Sequence, residues 1–115
     1  MSSNKDNAQY ELILTIVNRG FSDAVMEAAK AAGARGGTVL LARGTSSDER
    51  KFFGITIQPE KEIVMILAPT DKKRDIMLAI GSGAGLTSEG RGISFSLPVD
   101  DIVGIVRMNN ENAQD

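Results

Sequence analysis

Apolar side chains along this chain gather in short alternating or continuous runs broken by glycine, with two stretches where they recur every three or four residues. The run Tyr10–Asn18 (YELILTIVN) is rich in Leu, Ile and Val, is too short for an ordinary helix and is followed by the break at Gly20, so it predicts a strand. From there the apolar positions Phe21, Ala24, Val25, Ala28, Ala29 and Ala32 trace one helical face, with Ser22 placed to cap the start and Gly33 to stop it. Beyond Gly36 and Gly37, Thr38–Arg43 predicts a second strand, and a polar loop then runs from Gly44 to about Gly54.

From Gly54 the segment GITIQPEKEIVMILAP predicts a third strand, with Pro59 and Glu60 to Glu62 marking a bent or edge-exposed first half and Ile63 to Ala68 the buried part. Thr70 is placed to cap a second helix, which carries Asp71 in its first turn and Ile76, Met77, Ile80 and Ala84 on one side; Gly81, Ser82 and Gly83 weaken its end. Lys72, Lys73 and Arg74 form its solvent face. In ISFSLP, Ile93, Phe95 and Leu97 alternate with Ser94 and Ser96 as in a strand with one face buried, and VDDIVGIV predicts a last short helical turn charged by Asp100 and Asp101.

The order strand, helix, strand, strand, helix, strand predicts an α+β fold: a ferredoxin-like βαββαβ sandwich, with a four-stranded antiparallel sheet and two helices on one face. One domain over residues 10–107 is expected, with a flexible N-terminal tail over 1–9 and a flexible C-terminal tail over 108–115. On the first strand Leu12, Leu14 and Ile16 oppose Ile13 and Val17, and on the third Ile63, Met65 and Leu67 oppose Val64 and Ile66, so both sheet faces are apolar. Helices cover only one. The other is covered by a second copy of the chain, or by the tail and the C-terminal turn.

Composition narrows the function. The chain has no cysteine and no histidine, which removes disulfides, thiolate chemistry and both the commonest general base and the commonest metal ligand; no metal site and no catalytic residue can be named. A net charge of −2 and 4% aromatic residues supply neither a field for phosphate backbones nor a base-stacking platform, so nucleic acid is not an expected partner. No apolar run reaches the roughly 18 residues of a membrane span, and the polar N-terminal stretch is unlike a signal peptide. A cytoplasmic protein without membrane insertion is expected.

Three segments, GTVLLARGTS (Gly37 to Ser46), PEKEIVMIL (Pro59 to Leu67) and EGRGISFSLPVDDIV (Glu89 to Val103), resemble in order and spacing the PII nitrogen-regulatory signal-transduction family and its PII-like relatives. The resemblance covers roughly Tyr10 to Val106. It implies a homotrimer, no required cofactor, ATP, ADP or AMP as effector in clefts between subunits, and a loop that docks on a partner enzyme or membrane transporter. Carried onto this sequence, it implies a ligand site with Gly37 and Thr38 at the start of the second strand, a phosphate-facing loop of Ser88, Glu89, Gly90 and Arg91, and Arg107 nearby; the loop with Asp48, Arg50, Phe52 and Phe53 is either a partner-docking loop anchored by an exposed phenylalanine or a solvated loop ending in one aromatic that tucks into the core. The chemistry suits an anion: glycines let backbone N–H groups approach, and Arg91 offers a fixed charge in a fork matched to phosphate. Alternatively, Gly90 and Gly92 only shape the turn, and Arg91 is solvated.

The departures matter as much. Gly104 and Val106 stand where the family presents two arginines, and Arg107 is one residue out of register. The loop from Gly44 to about Gly54 is shorter than the family's and has no tyrosine to modify. Asp48 corresponds to the loop glutamine and Glu60 to the lysine that pairs with an oxoacid, which argues against 2-oxoglutarate sensing. The leading expectation is a non-enzymatic regulator in nitrogen or related metabolic signalling. A ligand-free assembly trimer is one alternative; a small acylphosphatase-type hydrolase, hinted at only by Arg19 beside Gly20, is the other.

Overall fold

The computed structural model describes residues 9–45, 50–53, 55–57, 59–87 and 92–104. The elements follow in the order β1 (Tyr10–Asn18), α1 (Ser22–Ala31), β2 (Thr38–Arg43), β3 (Arg50–Phe52), β4 (Ile55–Ile57), β5 (Glu60–Pro69), α2 (Thr70–Gly83) and β6 (Ile93–Val99). The four-stranded sheet has the order β2-β5-β1-β6, and every neighbouring pair is antiparallel. The expected α+β sandwich is present, with one addition: β3 and β4 pair as a separate two-stranded hairpin.

The core lies between one sheet face and the helices. Ile13 and Val17 of β1 and Val64, Ile66 and Ala68 of β5 are buried against Val25 and Ala29 of α1 and Ile76 and Ile80 of α2. Each fully buried isoleucine or valine contributes about 1.5–3 kcal/mol of transfer free energy. Thr15 is also fully buried on this face, and its hydroxyl is satisfied by the Ser94 hydroxyl of β6 at 2.9 Å.

Register decides what faces outward. Directly opposed residues share a face, so Leu67–Leu12–Leu97, Met65–Leu14–Phe95 and Ile63–Ile16–Ile93 form apolar rows across β5, β1 and β6 on the side away from the core. Ile93, Phe95 and Leu97, which the sequence pattern reads as a face to be buried, lie on this side and are 57%, 38% and 45% exposed in the single chain. Alternation fixes which residues share a face but not which face meets the helices, and the inward positions of β6 are Ser94 and Ser96, of which Ser94 supplies the polar partner of the buried Thr15.

Several local expectations are corrected as well. The residue before each helix is Phe21 or Pro69, and neither Ser22 nor Thr70 caps with its side chain: both are the first helical residues. The Ser22 amide is taken by Glu62 and the Thr70 amide by the carbonyl of Gln9. The rest of the N-terminal tail (1–8) and the C-terminal tail (108–115) lie outside the described residues. At the end of α1, Gly33 has φ +114°, its amide bonds to Lys30 and the Ala34 amide reaches Ala29, the expected glycine stop. α2 continues through Gly81 to Gly83 despite its glycines, because Ile80 is held in the core. No helical turn follows Pro98 among the described residues: β6 extends to Val99, paired with Tyr10, and Asp100 to Val103 is irregular.

Candidate functional site

Gly37 and Gly92, the described residues that flank the two parts of the sequence-derived ligand site, lie at opposite edges of the sheet. Gly37 precedes β2, one edge strand, packed so closely that a Cβ would lie 2.8 Å from the Met65 carbonyl and 3.0 Å from both Ile66 Cγ1 and Met26 Sδ. Only glycine fits. Thr38 follows, opposite Met65 and exposed. At the far edge, Gly92 leads into β6 with its amide bonded to the Leu86 carbonyl at 3.3 Å, closing the neck of the segment that carries Ser88, Glu89, Gly90 and Arg91. Those four residues, together with Arg107 and Asp48, lie outside the described residues. Since β5 and β1 stand between the two edges, Gly37 and Gly92 are separated by at least three strand spacings, roughly 14 Å. One protomer does not bring them together.

The connection between β2 and β5 runs from Gly44 to Pro59, longer than the expected end at Gly54, because Ile55–Ile57 pairs with Arg50–Phe52 instead of entering the main sheet. Its neck is closed by the Gly44 amide on the Pro59 carbonyl at 2.8 Å. At the reversal Phe53 is 99% exposed with φ +51°, a backbone region that bulky side chains seldom adopt. Arg50 and Phe52 sit on the β3 backbone beside it. The aromatic at the tip therefore does not tuck into the core.

Sequence reasoning missed the polar cluster where β1 meets α1. The amides of Gly20 and Ser22 both donate to Glu62 Oε1 at 3.1 Å, Arg19 pairs with Glu60, and Lys61 Nζ donates to Asn18 Oδ1 at 2.6 Å. These partners are some 40 positions apart, and no local motif announces them. Partial burial alone would raise the Glu62 carboxyl, but the Ser22 hydroxyl and amide, the Gly20 amide and the Arg19 charge outweigh it and hold the group below the ordinary glutamate range. The carboxylate also fills the start of α1, where a hydrolase of the acylphosphatase type would need to hold its substrate's phosphate.

That assignment has a pH signature. A depressed carboxyl stabilises the fold fully above the unfolded glutamate value of about 4.3, and the contribution is lost as pH falls through the lower folded value. Glu62→Gln is expected to lower stability by about 0.5–1 kcal/mol at neutral pH, as for a weakened helix cap, and to flatten the acid limb of a urea-midpoint series. An acid limb identical to that of the unaltered protein would count against the role given to Glu62.

No protein-family model matches the sequence, and no curated protein matches it. Among solved structures, the fold is similar to a crystal structure of Arabidopsis thaliana PII bound to citrate, with 25% identity, a TM-score of 0.62, and coverage of 87% of this chain and 83% of that one. The chain is PII-like. In this PII-like protein Glu60 is engaged by Arg19 through both its side chain and its carbonyl, rather than held open beside a ligand. Gly104 adopts φ +108° and is exposed. No described helix is long and apolar enough to cross a membrane.

Proposed function

We propose that the chain is a non-enzymatic, cytoplasmic PII-like regulator in nitrogen or related metabolic signalling. It assembles as a homotrimer, senses an adenine nucleotide (ATP, ADP or AMP) or another small anionic metabolite between subunits, and presents the β3–β4 hairpin to a partner enzyme or membrane transporter. The observation that carries this reading is the placement of Gly37 and Gly92 on opposite sheet edges. With Gly37 and Gly92 at opposite edges, a site drawing on both the β2 start and the residues before Gly92 would be completed by the β2 edge of one copy meeting the β6 edge of another, which supports the assembled reading. The open apolar rows supply a surface for such assembly, and Phe53 supplies an exposed aromatic of the kind that anchors protein interfaces. Citrate in the Arabidopsis PII structure makes small polycarboxylates worth testing alongside nucleotides.

The test is isothermal titration of the sized oligomer with ATP, ADP, AMP, citrate and 2-oxoglutarate, with and without magnesium. Saturable nucleotide binding, weakened about tenfold (about 1.5 kcal/mol) in Arg91→Ala, is the expected result for a charge-assisted phosphate contact. A clean oligomer that binds none of these ligands would replace the sensor with an assembly protein that has lost its ligand, a reading favoured by Gly104 standing in place of an arginine.

A further inference from the structure

We propose that Glu60, Lys61 and Glu62 form a clamp that fixes the direction in which the β3–β4 hairpin leaves the sheet. The hairpin returns to the sheet at the start of β5, and each of these successive residues grips the β1–α1 turn. The Arg19 amide donates to the Glu60 carbonyl at 3.1 Å while its guanidinium pairs with the Glu60 carboxylate. Lys61 donates to Asn18 at 2.6 Å, and Glu62 receives the amides of Gly20 and Ser22.

Successive strand residues point to opposite faces, so Lys61 holds the neck from the open face while Glu60 and Glu62 hold it from the helix face. A neck held from one side can still rock toward the other. Held from both, it cannot. On the strand alongside, the Lys61 stem lies against Gly44, where a Cβ would sit 3.0 Å from Lys61 Cε, and the Gly44 amide bonds to Pro59. Both ends of the hairpin excursion are thus tied to one point. Because the side chains of Arg19 and Glu60 are 61% and 60% exposed, that pair adds little stability by itself. The clamp acts through the number and direction of its contacts. That the hairpin meets a partner belongs to the reading above; the clamp concerns the isolated protein and is tested without a partner.

The chain has no cysteine, so Lys51→Cys on the hairpin and Arg74→Cys on α2 admit two spin labels at chosen sites. Labelled chains are diluted with unlabelled chains, so that distances within one chain dominate, and the distance distribution is read by double electron–electron resonance. The expected result is a narrow distribution that broadens and shifts in Glu62→Ala and in the double variant Asn18→Ala/Arg19→Ala. It stays unchanged in Lys73→Ala, which breaks the ion pair with Glu11 at the other end of the sheet. If Glu62→Ala does not fold, the double variant decides. A broad distribution in the parent protein, or an unchanged one in folded clamp variants, overturns the clamp.

Discussion

Leu14→Asp is expected to convert the protein from a multiple of its 12.2 kDa chain mass to a folded single chain, read by light scattering alongside circular dichroism. Leu14 stands at the centre of the open face, between Met65 and Phe95, with the rows built on Leu12 and Ile16 to either side. Among the described residues the buried core lies on the other side, formed on β1 and β5 by the alternate positions Ile13, Val17, Val64 and Ile66. A carboxylate there remains hydrated in a single chain, so the fold tolerates it. In an assembled face it would be stripped of water without a partner, opposing association by about 3 kcal/mol or more per copy.

Phe95→Glu should act in the same way from the edge strand, where the ring is already 38% exposed. An assembly that keeps its mass with Leu14→Asp would mean that the copies meet elsewhere. A parent protein that already scatters as one chain would remove the assembled site altogether. An unfolded Leu14→Asp would mean that some other part of the chain covers this face, the alternative left open by the sequence pattern.

The sequence made the strand and helix cores legible because glycine brackets them. β1 and β2 fall where the hydrophobic runs end at Asn18 and Arg43, with Gly20 and Gly44 close behind. Illegible features share a different cause, which is dependence on contacts made after the chain has folded. On the inward face of β6, Ser94 meets the buried Thr15, 79 positions away. The start of α1 is satisfied by Glu62 on another strand rather than by the nearby Ser22 hydroxyl, so local capping rules point to the wrong side chain. Ile55–Ile57 reads as the beginning of the third strand because its composition suits any strand, and only its pairing with Arg50–Phe52 separates it from β5. Of the candidate site, the close approach at Gly37 was marked by glycine itself, whereas its separation from Gly92 follows from strand order.

Gly92→Ala is expected to destabilise the protein by about 3 kcal/mol, the upper end of what overpacking does. A Cβ at this position would lie 2.3 Å from the Ile16 carbonyl oxygen and 2.8 Å from Val17 Cγ1. The first of these belongs to the backbone of a central strand paired on both sides, so it cannot swing aside as a side chain would. β6 must therefore move away from β1 at its first residues, loosening the Ile16–Ile93 pairing and the Gly92 to Leu86 bond that closes the segment 87–91. Gly81→Ala provides the contrast: its Cβ would meet nothing within 4 Å inside α2, so helix propensity alone should make it stabilising by about 0.5–1 kcal/mol. Urea midpoints at constant slope measure both changes. Equal stability of Gly92→Ala and the parent would show that β6 can shift freely, and the neck of the segment would then not fix Arg91 in place. A large loss accompanied by weaker nucleotide binding would tie the packing of one glycine against β1 to the phosphate-facing role proposed for residues 88–91.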